Sequence, residues 1–153
     1  MNKKYEEICL KLRGLTEGER HPVPNMANGA ALLWQELSDI NWAGFYTMEK
    51  DEYLLLGPFQ GKPACIRIPM GKGVCGSAAA EKSTQVVKDV SLFPGHIACD
   101  SASKSEIVDP IFDKQGNVTG VLDIDSPVKN RFTEIDKEGL EEFVKILEKA
   151  CDF

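Results

Sequence analysis

The chain has 153 residues and a mass of 16.9 kDa, with 18 Lys and Arg against 24 Asp and Glu, a formal net charge of −6. That length predicts a single domain, residues 1–153, able to bury roughly 70% of its unfolded surface around one core. The acidic balance, with no local basic patch, argues against nucleic acid as a partner, and the longest apolar run, Ala30 to Trp34, is too short to span a bilayer.

The opening stretch MNKKYEEICLKLRG carries lysines, but Glu6 and Glu7 interrupt it and no apolar signal-peptide core follows. A cytoplasmic location is therefore expected. The five cysteines are an odd number, and a reducing compartment does not favour a static disulfide framework. There is neither a CxxC nor a paired-His motif, and His21 and His96 are the only histidines, so no metal is expected. Cys65, Cys75, Cys99 and His96 form the set that could still converge in space.

In chain order, Tyr5, Ile8, Cys9, Leu12 and Leu15 fall at helical spacing among charged residues, which predicts an amphipathic helix that Gly14 and the following Glu-Gly-Glu-Arg-His-Pro stretch break. A second helix is predicted from about Asn25 to Leu37, with Pro24 at its entrance and Met26, Leu33 and Leu37 on one face. The period then changes. NWAGFYTM, Glu52 to Phe59 and Ala64 to Pro69 read as three strands of an antiparallel meander. In GKGVCGSAAAEKS the glycines predict a turn and the alanines a short helix, and Gln85 to Val87 reads as one more strand.

The stretch DVSLFPGHIACDSASK, Asp89 to Lys104, has neither period, and a loop of that length inside a compact domain is usually functional. Glu106 to Phe112 and Val118 to Ser126 then flank DKQG as a hairpin, with Pro110 marking an edge or bulge. Thr133 and Asp136 form a capping-box pattern before a helix that carries Leu140, Phe143, Val144 and Leu147 on one face. The order predicts an α+β domain, an antiparallel sheet flanked by helices.

Strand alternation sends Val121, Asp123 and Asp125 to one face, and a hairpin closed symmetrically on DKQG sets Glu106 opposite Asp123. A slip of one residue would turn the side chain to the other face. Three acids on one face need water, a held proton or a cation. Three readings follow: a solvated face, a pocket that pairs the acids with an ammonium group or uses one as a proton donor, or a calcium or magnesium site.

A catalytic thiol must be reachable as a thiolate. Cys99 lies in the long loop, Cys75 near a helix start and Cys65 in a strand-like run, whereas Cys9 and Cys151 read as buried apolar residues of the terminal helices. His96 precedes Cys99 by three residues and could support a thiolate electrostatically, although a lone loop histidine is more often structural or exposed.

NWAGFY, GKGVCG, FPGHIACDSASKSEIV and GVLDIDS, in that order, resemble the free methionine-(R)-sulfoxide reductase family, whose fold is a GAF domain. The resemblance spans about residues 25 to 150. It implies that Cys99 is the nucleophile, Cys65 the cysteine that resolves it, and Cys75 an auxiliary third. It further implies that Trp42 and Tyr46 wall the methionine pocket and that Glu106, Asp123 and Asp125 hold substrate, with Glu106 and Asp125 also assisting the sulfoxide oxygen. No bound cofactor is implied; electrons would come from NADPH through thioredoxin reductase and thioredoxin, and GAF domains often pair as homodimers. Asp109 departs from the pattern, standing where an apolar residue such as leucine is expected. The alternative function is a non-catalytic GAF sensor of a small ligand.

Overall fold

The first helix, α1 (Lys3–Thr16), starts at Asn2, whose side-chain oxygen accepts a hydrogen bond from the Lys4 N–H at 2.8 Å. The computed structural model describes residues 1–97 and 99–153; Ala98, inside GHIACD, lies outside the described residues. Contrary to the sequence expectation, α1 runs through Gly14. Nothing packs on that position, so the helix carries glycine's cost of about 1 kcal/mol, and the chain turns instead at Gly18. Helix α2 (Pro22–Glu36) begins three residues before the predicted Asn25. His21 Nδ1 accepts from the Val23 N–H, and Pro22 and Pro24 occupy the first turn, where a missing N–H costs nothing.

Six strands form one antiparallel sheet: β1 (Trp42–Glu49), β2 (Tyr53–Gly61), β3 (Arg67–Pro69), β4 (Gln85–Val87), β5 (Ser105–Phe112) and β6 (Val118–Ser126), in the spatial order β3-β2-β1-β6-β5-β4. The α+β expectation holds. The third predicted strand is shorter than expected: pairing begins at Arg67, so Cys65 lies in the loop before β3 rather than within a strand. Helix α3 (Gly73–Glu81) and a 3₁₀ turn (Val90–Leu92) follow, and α4 (Glu134–Ala150) opens with the predicted capping box of Thr133 and Asp136. Among the described residues no helix is long and apolar enough to cross a membrane.

The sheet separates two apolar layers. On one side α1, α2 and α4 pack Ile8, Leu12, Leu33, Leu140, Phe143 and Leu147 against Phe45, Leu122 and Ile124. Gly139 permits the close crossing of α4 over α1, since a Cβ there would overlap the Tyr5 ring. On the other side the short α3 and its neighbouring loops cover Trp42, Tyr46, Val74, Val108 and Val121. The acid-bearing face is therefore roofed rather than solvated.

The β5–β6 register differs from the expected one by two residues. Asp113 pairs with Asn117 at the turn, and an irregularity between Ile111 and Phe112 moves the ladder further, so Glu106 stands opposite Asp125 and Val108 opposite Asp123. A shift of two preserves the face. Pro110 lies beyond the end of the β4 pairing, where β5 has become an edge and a missing N–H is tolerated.

Candidate active site

Three adjacent strands supply the floor of a pocket on the roofed face. β1 pairs Trp42 with Asp125, Gly44 with Asp123 and Tyr46 with Val121, while β5 brings Glu106 to Asp125. Gly44 is required because a Cβ would collide with the backbone and Cβ of Phe59 on β2. That approach lets Phe59 stack on Trp42 with ring centroids 5.2 Å apart, and Trp42 in turn lies 5.8 Å from Tyr46. Phe59 was not singled out in the sequence; the β1–β2 register, unknown until the hairpin closes, is what aligns it with this aromatic row.

The loop between β2 and β3 is tied down by the same rings. Trp42 Nε1–H donates to the Lys62 carbonyl at 3.1 Å, and the Tyr46 hydroxyl donates to the Cys65 carbonyl at 3.1 Å. Across the pocket the long loop brings in His96, Ile97, Cys99 and Asp100. Cys65 and Cys99 are joined as a disulfide; Cys99 is exposed and Cys65 half-buried. Cys75, His96 and Cys99 line one pocket, with Cys65 bonded to Cys99, so the four converge in space with two of their sulfurs joined to each other. Cys9 and Cys151 are buried in the helical layer, as the sequence predicts.

Cys75, on the first turn of α3, faces the acids: its Sγ donates to Glu106 Oε2 at 3.9 Å. Burial pushes its thiol well above the ordinary range, and Asp123, Glu106 and Asp125 add to the shift. The carboxyls are raised too. Burial dominates for all three, followed by repulsion from Asp125 on Glu106, from Glu106 on Asp123, and from Asp123 on Asp125. Each of these shifts favours the protonated carboxyl over the carboxylate. Asp123 Oδ1 is buried with no hydrogen-bond partner.

His96 Nε2 lies 3.7 Å from Glu106 Oε1, so a residue that reads as structural in the sequence stands inside the pocket. Burial lowers its pKa while that of Glu106 rises, and both shifts weaken any charge pairing between the two. Asp109, one residue out of phase with these acids, pairs with Leu122 and faces the helical layer, away from the pocket. Both of its carboxyl oxygens are buried without partners.

Comparison with known proteins agrees with this architecture. Residues 22–151 match the GAF domain family. The free methionine-R-sulfoxide reductase of Escherichia coli (strain K12) is 52% identical over 152 residues, covering 98% of this chain and 91% of the relative. The structure of fRMsr of Staphylococcus aureus in complex with substrate superposes with a TM-score of 0.91 at 53% identity, covering 95% of this chain and 94% of that one. The free methionine-R-sulfoxide reductase from Neisseria meningitidis in complex with its substrate gives 0.93 at 44% identity, covering 98% and 90%. With likeness of this extent along nearly its whole length, the chain belongs to the free methionine-R-sulfoxide reductases, built on the GAF domain.

Proposed function

We propose that this protein reduces free L-methionine (R)-S-oxide to L-methionine by thiol chemistry. The observation that carries the reading is the Cys65–Cys99 disulfide beside a pocket of buried acids and stacked aromatics. In this reading the amino acid's ammonium pairs with Glu106, Asp123 and Asp125, and the unpartnered Asp123 Oδ1 supports that role. Trp42 and Tyr46 take the S-methyl end through sulfur–aromatic contact. A methionine within a peptide has no such ammonium, which accounts for a preference for the free amino acid.

Cys99, as thiolate, attacks the sulfoxide sulfur. The oxygen needs a proton to leave the substrate sulfur, and Glu106, whose pKa burial raises and which Asp125 adjoins, is placed to supply it. The protonated oxygen passes from the substrate sulfur to the Cys99 sulfur as the bond between the two sulfurs breaks, so methionine departs with its sulfur reduced by two electrons and Cys99 is left as a sulfenic acid. The Cys65 thiol then displaces that oxygen as water and closes the disulfide. A thioredoxin-type dithiol, itself reduced by NADPH through thioredoxin reductase in the cytoplasm, restores both thiols, and no bound cofactor takes part. Cys75, buried and held as a thiol, is auxiliary: it forms part of the pocket wall beside Glu106. The working unit in this reading is one domain, residues 1–153, paired as a homodimer to which exposed Leu10 and Leu15 of α1 offer apolar surface; a monomer in sedimentation would remove that part.

The test is NADPH oxidation coupled through thioredoxin reductase and thioredoxin, with free methionine-(R)-sulfoxide, its S epimer and a peptide-bound R-sulfoxide compared. Turnover is expected for the free R form alone and lost in Cys99→Ser. Normal activity in that variant would overturn the nucleophile; no turnover of any form would favour a ligand-binding sensor.

A further inference from the structure

Cys75 Sγ, one oxygen of Glu106 and one of Asp123 all lie within 4.8 Å of one another. The three side chains are 4%, 7% and 5% exposed. The same Asp123 carboxyl has one oxygen, Oδ1, buried with no hydrogen-bond partner. A tetrahedral zinc-type centre places sulfur and oxygen ligands about 3.5 Å apart. The separation of Cys75 Sγ and Glu106 Oε2 is 3.9 Å, so a small rotation of either side chain closes the difference. The ligand chemistry selects the class of ion. Calcium and magnesium ask for six or more oxygens, whereas one thiolate with two carboxylates suits a borderline-soft, four-coordinate cation.

We propose that Cys75, Glu106 and Asp123 form a binding site for a thiophilic divalent cation of the zinc class, three protein ligands with a fourth position open to the pocket. One amino-acid ammonium brings a single positive charge to this cluster; a divalent ion brings two and bonds directly to a carboxylate oxygen of Asp123. Because both occupants need Glu106 and Asp123, the ion and the amino acid exclude each other. That clause rests on the pocket assignment above, and the ion would act as a competitive inhibitor of substrate binding.

The experiment uses the whole chain with its disulfide intact, titrated with Cd²⁺ alone, and reads the ultraviolet thiolate-to-cadmium charge-transfer band. With Cys65 and Cys99 bonded to each other, the free thiols are Cys9, Cys75 and Cys151. The expected result is one ion per chain, a band lost in Cys75→Ser, kept in Cys9→Ser and Cys151→Ser, and a titration at least about tenfold weaker in Asp123→Asn. A band that survives Cys75→Ser, or no band in the unaltered protein, overturns the site. Free methionine should shift the titration to higher Cd²⁺. If the band depends on Cys75 but methionine leaves it unmoved, the ion site stands and the placement of the ammonium on Glu106 and Asp123 falls.

Discussion

Asp109 is the residue with the least explained surroundings. It stands in the helix-facing register of β5, 2% exposed, with neither carboxyl oxygen bonded. Nearby Thr84 gives its hydroxyl to Glu141 instead, at 2.7 Å. Burial, with Glu141 adding repulsion, lifts its pKa from 3.8 to about 7. Between those values the folded protein holds a proton that the unfolded chain has released, so the stabilising contribution is complete below about pH 4 and lost as pH rises through about 7. Glu106, Asp123 and Asp125 impose a slope of the same sign, and the difference between variant and parent isolates Asp109. Asp109→Leu should flatten the fall of unfolding free energy over that interval and stabilise the protein near pH 8 by a few kcal/mol, about 4 at most, as denaturant melts at several pH values would read. An unchanged difference across pH would show that the carboxyl is hydrated in solution.

Glu106 tests the chemistry at the same scale. Glu106→Gln keeps the shape and a hydrogen-bond donor but has no acidic proton, so kcat should fall roughly a hundredfold or more with the melting temperature maintained or raised; parental kinetics would remove Glu106 from the reaction. Much of the pocket was legible in the sequence, because Asp123 and Asp125 alternate within one strand, Cys99 sits in the long loop and Cys75 near a helix start; Cys65 read as part of a strand. His96 was legible only as a weak candidate, and Phe59 not at all. Each reaches the pocket through tertiary contact, one on a loop without period and the other through a hairpin register that local pattern does not specify.

At the level of elements, the sequence located nearly every helix and strand, and its errors share a physical origin. α1 survives Gly14 because the buried stripe of Tyr5, Ile8 and Leu12 outweighs a propensity penalty of about 1 kcal/mol. The β5–β6 ladder misses the symmetric register because the turn holds Asp113 to Asn117 and an added irregularity follows, neither of which composition announces. The crossing of α1 and α4 gives a measurable consequence. Alanine at 139 would gain about 1 kcal/mol in helix propensity, yet its Cβ would enter the Tyr5 ring, whose hydroxyl is fixed to Asp136 Oδ1 at 2.6 Å. The overlap should win, and Gly139→Ala is expected to lose about 1–3 kcal/mol in a denaturant melt; a stabilised variant would mean that the helices separate freely.

Across the whole molecule, the sheet divides labour between its faces. Three helices on one side supply the thick apolar layer, and the other side is left to one short helix and loops that can hold acids and thiols together. Sequence alternation disclosed which residues share a face, but not that the acidic face is covered, since the covering comes from segments distant in the chain.

The two hydrogen bonds from Trp42 and Tyr46 to the Lys62 and Cys65 carbonyls carry a consequence for timing. In the proposed reaction the rings that would receive the methyl group also anchor the loop that carries Cys65, so occupancy and resolution would share one mechanical support. Tyr46→Phe keeps the ring and releases the anchor. Its first oxygen transfer should proceed at close to the parental rate while disulfide closure slows several-fold, for a lost bond of about 1 kcal/mol, and a dimedone-type trap should capture more sulfenic acid on Cys99. The tyrosine hydroxyl would then be a latch that sets how long the oxidised cysteine stays open to competing thiols.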